Sequence, residues 1–175
     1  MPLTRTEVKN LLLEHEIHPK KTLGQNFVVE PNTIRQIIKL ADLDPGDFVL
    51  EVGSGLGSLT LALLESCEHV TAVEVDDALV KILKEATGDQ TEKKLRIIHA
   101  DVMELDLNQV LAEHNNHWSL VANLPYNIAV PMICDFLEKS PLISKMTVMV
   151  QREVAAVSYT HLRAHETEAD LVCRL

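Results

Sequence analysis

The feature that most constrains the fold is a strand, a glycine-rich loop and a helix in direct succession. Residues 47–52, Asp-Phe-Val-Leu-Glu-Val, are mostly apolar and follow the turn-forming residues 44–46, which predicts a buried parallel strand. The loop 53–57, Gly-Ser-Gly-Leu-Gly, comes next, and the leucine-rich residues 58–66 predict a helix. Glycines allow a tight turn and a close approach of the backbone to a ligand. This succession is the first half of a nucleotide-binding βαβ unit.

Strands and helices alternate along the rest of the chain. Further strands are predicted at 69–75, 95–99, 118–123 and 145–151. Helices are predicted at 6–15, 31–40, 77–86, 106–114 and 128–139. Because such alternation builds a parallel sheet with helices on both faces, we predict a doubly wound, Rossmann-like α/β fold with strand order 3-2-1-4-5.

A polar and aromatic tetrad, Asn123-Leu124-Pro125-Tyr126, closes the predicted strand at 118–123. Open α/β sheets bind ligands at the carboxyl ends of their strands, where this tetrad lies. The Asn123 oxygen and a backbone carbonyl can hold an exocyclic amine, Pro125 restricts the turn, and Tyr126 offers a face on which a base can stack. The tetrad therefore suits an adenine amine presented for modification. The alternative is an ordinary strand-to-helix turn with a stacked tyrosine.

Acidic residues near the glycine loop indicate what kind of nucleotide it would bind. Glu74, at the end of the second strand, follows Gly53 by about 20 positions, the spacing at which an acid meets ribose hydroxyls. The same spacing fits a dinucleotide-binding dehydrogenase, but Ser58 stands at the last glycine position of the pyrophosphate fingerprint. Glu51, just before the loop, would repel a pyrophosphate and suits a ligand carrying an ammonium and a sulfonium. With the tetrad, these acids favour S-adenosylmethionine over NAD.

Five segments together resemble the ribosomal RNA adenine dimethyltransferases that act on small-subunit RNA. They are Leu-Gly-Gln-Asn-Phe at 23–27, Glu-Val-Gly-Ser-Gly-Leu-Gly at 51–57, Val-Glu-Val-Asp at 73–76, His-Ala-Asp-Val at 99–102 and the tetrad at 123–126. Their order and spacing match that family from about Ile17 to Ala155. The macrolide-resistance methyltransferases of large-subunit RNA are close relatives, but they more often carry isoleucine at the position of Leu124.

The resemblance implies a role for each of these residues. The cofactor-binding residues would be Gln25, Asn26, Phe27, Glu51, Gly53, Gly55, Gly57, Glu74, Val75, Asp101, Val102 and Asn123. The catalytic residues would be Asn123, Leu124, Pro125 and Tyr126. Within these sets, Glu74 would bind the ribose, and Asp101 and the Val102 N–H would bind the adenine of S-adenosylmethionine. Two alternatives stay open, because Asp101 could simply cap the following turn and Gln25 and Asn26 could be ordinary loop residues.

The implied reaction is methylation of adenine amines in small-subunit ribosomal RNA during ribosome maturation. Acceptors on both amine hydrogens favour a pyramidal nitrogen with a free lone pair, so catalysis would be mainly positioning and would need no strong base. The target nucleotide must leave its stack, which favours single-stranded or loop RNA. Two other classes stay open: a large-subunit adenine methyltransferase, and a non-catalytic module that binds the ribosome during assembly.

Composition limits the partners and the compartment. The 175 residues suit one domain, and no apolar run approaches the ~20 residues of a membrane span. The start lacks a signal-peptide pattern, which favours the cytoplasm. Neither the three cysteines nor the eight histidines have metal-ligand spacing, so we predict no metal. We also expect a monomer. The net charge of −10 is unusual for an RNA-binding protein. Beside the Gln25-Asn26 segment the basic signal is Lys20-Lys21, with Arg5 and Lys9 upstream, and a solvated charged segment is the alternative for it.

The end of the chain departs from the family pattern. Residues 157–167 match the in-frame translation of a transposase-type sequencing adapter, so we expect residues 157–175 to be a non-native tail. Residues 1–156 would then be an incomplete S-adenosylmethionine-binding methyltransferase domain, without the family's final antiparallel strands and helical domain. The strand at 145–151 would be left as an exposed edge. We expect such a chain to bind cofactor weakly and not to methylate ribosomal RNA.

Overall fold

Five parallel strands form a single sheet of order β3-β2-β1-β4-β5, which confirms the predicted topology. The computed structural model describes residues 3–17, 27, 30–88, 94–112, 114, 117–124 and 126–150. The strands are β1 (Phe48–Val52), β2 (His69–Glu74), β3 (Leu95–His99), β4 (Trp118–Asn123) and β5 (Ile143–Met149). The helices are α1 (Arg5–Glu14), α2 (Pro31–Ala41), α3 (Ser58–Leu64), α4 (Asp77–Thr87), a 3₁₀ helix (Val102–Glu104), α5 (Leu107–Leu111) and α6 (Tyr126–Lys139).

Both faces of the sheet are buried, as the apolar strands require. Successive side chains of a strand point to opposite faces, so β1 sends Leu50 and Val52 into one core and Val49 into the other. The first core is completed by α5 and α6, whose largest contribution is Phe136. The second is completed by α2 and α3, with Ile34 among its fully buried residues. Glu51 shares the face of Val49, which places this acid beneath α3.

Helix α1, near the start of the described chain, packs against the glycine loop. Its Val8 side chain packs in a small third core with Leu79 and Ile82 of α4 and with Leu56 of the loop. Phe27 packs against the same cluster. The loop between β1 and α3 is therefore held from the side of α1 and α4 as well as by the sheet.

Several element boundaries differ from the sequence predictions. Helix α6 begins at Tyr126 instead of residue 128, and α5 ends at Leu111, before the predicted 114. The 3₁₀ helix Val102–Glu104 was not predicted, because three residues are too few to show a helical repeat of apolar positions. Strand β5 is one of the two edge strands of the sheet within the described part of the chain, and β3 is the other.

Some predicted features fall outside the described residues. They are Gln25, Asn26, Pro125, the Lys20-Lys21 pair and the tail 157–175. The same holds for the side chains of Arg5 and Tyr126. Over the ranges that the structure describes, it contains no helix with the length and apolar character needed to cross a membrane.

Candidate functional site

A cleft opens at the carboxyl ends of β1 and β4, where parallel sheets of this kind bind ligands. It is lined by Phe27, Glu51, Gly53, Ser54, Gly55, Leu56, Ser58, Leu59 and Asn123. Its empty volume, including the part open to solvent, is about 350 Å³. The structure thus gathers five of the predicted site residues in one place, together with Ser54 and Ser58, which were not predicted to bind.

The glycine loop has a backbone that other residues would strain. Gly55 and Gly57 have φ angles of +58° and +89°, in the left-handed region that favours glycine. A Cβ atom on Gly55 would lie 3.2 Å from Cδ1 of Phe27, and one on Gly57 would lie 2.8 Å from Cδ1 of Leu83. The backbone of Gly55 therefore lies close to the Phe27 ring where both residues line the cleft. Gly57 instead lets the loop pack against α4, and it is not among the described residues that line the cleft.

Glu74 holds the shape of this loop through its buried carboxyl group. One oxygen accepts the backbone N–H of Gly55 at 2.8 Å. The other accepts the N–H groups of Val75 and Asp76 at 2.9 and 3.0 Å. A carboxylate offers about four acceptor positions, so one remains for the ribose role predicted from sequence. The bond to the loop was missed, although the parallel pairing of Val52 with Val73 places Glu74 beside the loop.

Glu51 is the most unusual group of the cleft, because its side chain is only 1% exposed. Its Oε2 atom accepts a hydrogen bond from the Thr60 hydroxyl at 2.6 Å. Its Oε1 atom has no hydrogen-bond partner among the described residues. Burial raises the pKa of Glu51 to about 8, the bond from Thr60 lowers it, and the nearby Glu74 carboxyl raises it further. The carboxyl group is therefore mostly neutral at pH 7, which sequence reasoning did not foresee.

Ser54 is a second buried polar group at the cleft. Its backbone carbonyl accepts the N–H of Gly57 at 3.0 Å and so closes the turn of the loop. Its Oγ atom is buried and has no partner in the part of the chain that the structure describes. Buried hydroxyls in native proteins are usually hydrogen-bonded, so this atom and Glu51 Oε1 mark the polar end of the cleft.

The residues predicted to hold the adenine of the cofactor lie at the ends of β2 and β3. Val75 is 46% exposed beside the buried Glu74, so its side chain is accessible for packing. Asp101 caps the 3₁₀ helix by accepting the N–H of Met103 at 3.0 Å. The capping alternative is therefore observed, and it leaves the second oxygen of Asp101 for another donor. Val102 begins that helix, at a position where a backbone N–H has no acceptor within the helix.

The tetrad lies on the other side of the glycine loop. Asn123 ends β4, and a Cβ atom on Gly53 would lie 3.7 Å from its backbone oxygen. The Leu124 side chain is buried in the core, and its N–H donates to the carbonyl of Met149 at 3.0 Å. This bond ties Leu124 to β5, so the start of the tetrad is held by the sheet.

Comparison with known proteins identifies the family. Residues 17–162 match the family described as ribosomal RNA adenine dimethylase. The chain belongs to this family. The match confirms the resemblance drawn from the five sequence segments, and the dimethylase fold is the one predicted from the alternation of strands and helices.

Relatives of this dimethylase-family chain agree with the assignment. The ribosomal RNA small subunit methyltransferase A of Mycobacterium avium is 46% identical over 156 residues, which are 87% of this chain and 48% of the relative. The crystal structure of the 23S rRNA methyltransferase ErmE is 28% identical with a TM-score of 0.66, covering 81% of this chain and 54% of that one. The chain spans about half the length of the curated relatives that it matches.

A more distant structure shows how widely this fold is shared. An RNA methyltransferase from Salinibacter ruber, solved in complex with S-adenosyl-L-homocysteine, is 18% identical with a TM-score of 0.60. It covers 85% of this chain and 92% of that one. At this identity the likeness shows the fold alone. Within the described ranges of the dimethylase-family chain, no group of three or more His, Cys, Asp or Glu residues could hold a metal ion.

Proposed function

We propose that this chain is the cofactor-binding part of an S-adenosylmethionine-dependent methyltransferase that modifies adenine amines of small-subunit ribosomal RNA. The observation that carries the proposal is the cleft itself. It places Asn123, which suits the target amine, within one cavity with the glycine loop and the buried acid Glu51. Membership of the dimethylase family and the names of the curated relatives support the same reaction.

The residues of the cleft fit the proposed cofactor. Glu51 Oε1 and Ser54 Oγ are buried polar atoms without partners among the described residues, and they would hold the ammonium and carboxylate of the methionine end. Phe27 would cover this end, beside the predicted Gln25 and Asn26. The remaining acceptor position of Glu74 would take a ribose hydroxyl. When bound, S-adenosylmethionine supplies a methyl group activated by its sulfonium.

The adenine end of the cofactor would lie at the carboxyl ends of β2 and β3. Val75 would pack on the adenine ring, because its side chain is exposed there. The second carboxyl oxygen of Asp101 would accept the adenine amine, and the N–H of Val102 would donate to a ring nitrogen. The family pattern implies these three contacts. The parallel pairing of β2 with β3 supports them, because it brings the residues that follow both strands to the same end of the sheet.

The tetrad would position the substrate. The Asn123 side-chain oxygen and the Leu124 carbonyl would each accept one hydrogen of the target amine, which frees the nitrogen lone pair for attack. Pro125 would restrict the turn, and Tyr126 would stack on the flipped base. Alignment of this kind can contribute roughly 7–11 kcal/mol to catalysis, so no strong base is needed.

The substrate and the setting complete the proposal. The partner would be small-subunit ribosomal RNA within the maturing subunit. The target nucleotide would leave its stack to reach the cleft. We also propose that the protein acts in the cytoplasm, as a monomer and without a metal. A second candidate is methylation of large-subunit RNA, which the structural likeness to the 23S rRNA methyltransferase ErmE favours.

The test is methyl transfer from radiolabelled S-adenosylmethionine to purified, unmethylated small and large subunits. It uses both the 175-residue chain and the complete product of its gene. We expect the complete product to label adenines of the small subunit, and the chain alone to bind cofactor without turnover. Labelling confined to the large subunit would establish the second candidate, and labelling of neither by the complete product would refute the proposed activity.

Substitution of Asn123 separates an enzyme from a binding module. Asn123→Ala removes an acceptor for the amine, so turnover should be abolished while cofactor affinity stays nearly unchanged. Asn123→Asp keeps an oxygen at the same position and serves as the matched control, with turnover partly retained. Normal methylation by Asn123→Ala in the complete product would show that the amine site is assigned wrongly.

A further inference from the structure

We propose that Glu51 and Thr60 form a proton-linked receptor for the cationic end of the cofactor, so that binding releases a proton from the protein. This rests on the proposed function, since it takes S-adenosylmethionine as the ligand. It goes further by assigning a role to Thr60, which the sequence did not single out, and by making cofactor affinity depend on pH.

The geometry decides where the proton sits. Thr60 is fully buried on α3, and its hydroxyl donates to Oε2 of Glu51 at 2.6 Å. With Thr60 donating to Oε2, a neutral Glu51 carboxyl would carry its proton on Oε1. Oε1 is the oxygen without a partner among the described residues, and Glu51 lines the cleft. Thr60 therefore acts as a positioning residue that leaves one oxygen of Glu51 for a ligand.

The groups around Glu51 keep it neutral in the folded chain. Its burial raises the pKa to about 8, the Thr60 bond lowers it and the Glu74 carboxyl raises it. The Cys67 thiol, in the turn after α3, is itself neutral at pH 7, because burial raises its pKa to about 11. The residues paired with Glu51 on the neighbouring strands, Ala72 of β2 and Val121 of β4, are apolar.

A bound cation reverses this preference. A positive charge within about 4–6 Å of a carboxyl favours its ionised form, so the Oε1 proton passes to solvent as the carboxylate pairs with the cation. A group with a pKa of about 8 is about 90% protonated at pH 7, and binding should release close to one proton. Affinity should therefore rise about tenfold per pH unit between pH 5.5 and 6.5, where the ligand's amine stays protonated.

The experiment is isothermal titration calorimetry of the full 175-residue chain at pH 6.5. Titration of S-adenosylmethionine in two buffers of different ionisation enthalpy gives the number of protons released, which we expect to be close to one. 5′-Methylthioadenosine carries neither ammonium nor sulfonium and should release none. S-adenosylhomocysteine keeps the ammonium but lacks the sulfonium. Proton release with both ligands would assign the receptor to the ammonium. Proton release with S-adenosylmethionine alone would assign it to the sulfonium. Either result supports the inference.

Failure of this inference can be told apart from failure of the proposed function. Binding of S-adenosylmethionine without proton release would overturn the proton-linked receptor and leave the proposed cofactor standing. No binding of S-adenosylmethionine or S-adenosylhomocysteine at millimolar concentration would overturn both. Release of the same number of protons with 5′-methylthioadenosine would overturn the inference, since no cation would be involved.

Variants test the two residues separately. Glu51→Gln should bind without releasing a proton and lose the pH dependence between pH 5.5 and 6.5. Thr60→Val removes the bond that lowers the pKa of Glu51, so its affinity profile should move to higher pH, and Thr60→Ser should restore the original profile. If Thr60→Val weakens binding by the same factor below and above about pH 8, the pKa of Glu51 in the parent, Thr60 has only a packing role and the inference fails for that residue.

Discussion

The pH dependence of stability offers a direct test of the buried acid in the cleft. Glu51 has a pKa of about 8 in the folded chain against an ordinary value of 4.5. Between these values the folded state holds a proton that the unfolded state has lost. The free energy of unfolding therefore falls as pH rises from about 4.5 to 8. In this range the Glu51 carboxyl ionises in the unfolded state, which stabilises that state, but stays protonated in the folded state.

The size of the effect follows from the pKa difference. Each pH unit inside that window costs about 1.4 kcal/mol of unfolding free energy for one group. From pH 5.5 to 7.0 the loss due to Glu51 is therefore about 2 kcal/mol. For a chain of this length that corresponds to a fall of roughly 4–8 °C in melting temperature.

The assay compares urea unfolding of the parent chain and Glu51→Gln at pH 5.5 and 7.0. The amide keeps the shape of the side chain but cannot ionise, so the variant should lose about 2 kcal/mol less stability than the parent over this interval. Glu14→Gln, at an exposed position of α1, is the matched control and should behave like the parent. This comparison removes the general effect of the −10 net charge.

One result would refute the reasoning about Glu51. If the parent and Glu51→Gln lose the same stability between pH 5.5 and 7.0, the carboxyl has an ordinary pKa in the folded chain. The inference of proton release on cofactor binding would then lose its support as well, because a carboxyl already ionised at pH 6.5 has no proton to release.

Further predictions concern the loop, the sheet and the end of the chain. Gly57→Ala should cost about 1–3 kcal/mol, because φ is +89° and the new Cβ would lie 2.8 Å from Leu83; Gly46→Ala, with open space around it, should be nearly neutral in the same urea titration. Thr147→Val should raise unfolding free energy by roughly 1 kcal/mol, since its buried hydroxyl has no partner within the described chain. A long sequencing read of the source locus should diverge from this sequence near codon 157, and agreement through codon 175 would refute the adapter origin of the tail.

The parallel sheet could be predicted from the sequence because the alternation of strands and helices is a local pattern. Five apolar strands alternate with helices, and this pattern together with the family resemblance led to the strand order that the structure has. Boundaries were less accurate. Helix α6 starts at Tyr126, two residues before its predicted start, and the short 3₁₀ helix after Asp101 was not predicted. The ends of helices depend on caps and tertiary contacts more than on the periodicity of apolar residues.

The candidate site was predicted residue by residue, but not how its residues interact. Glu51, Gly53, Gly55 and Asn123 do line one cleft. The sequence did not indicate that Glu74 would bond the Gly55 N–H, since 19 positions separate the two residues along the chain. The partnership of Glu51 with Thr60 was missed for a similar reason, because an ordinary helix position carries no signal that its hydroxyl meets a strand residue.

Chemistry at the level of residue types was thus determined by the sequence itself. Glycines in the loop, acids at two strand ends and an asparagine after a buried strand specify a nucleotide cleft and the family to which the chain belongs. The charge state of the cleft was decided only by the tertiary structure. Glu51 is an acid in any sequence reading, but packing under α3 removes it from water, and desolvation is a property of the assembled fold that makes this carboxyl neutral at pH 7.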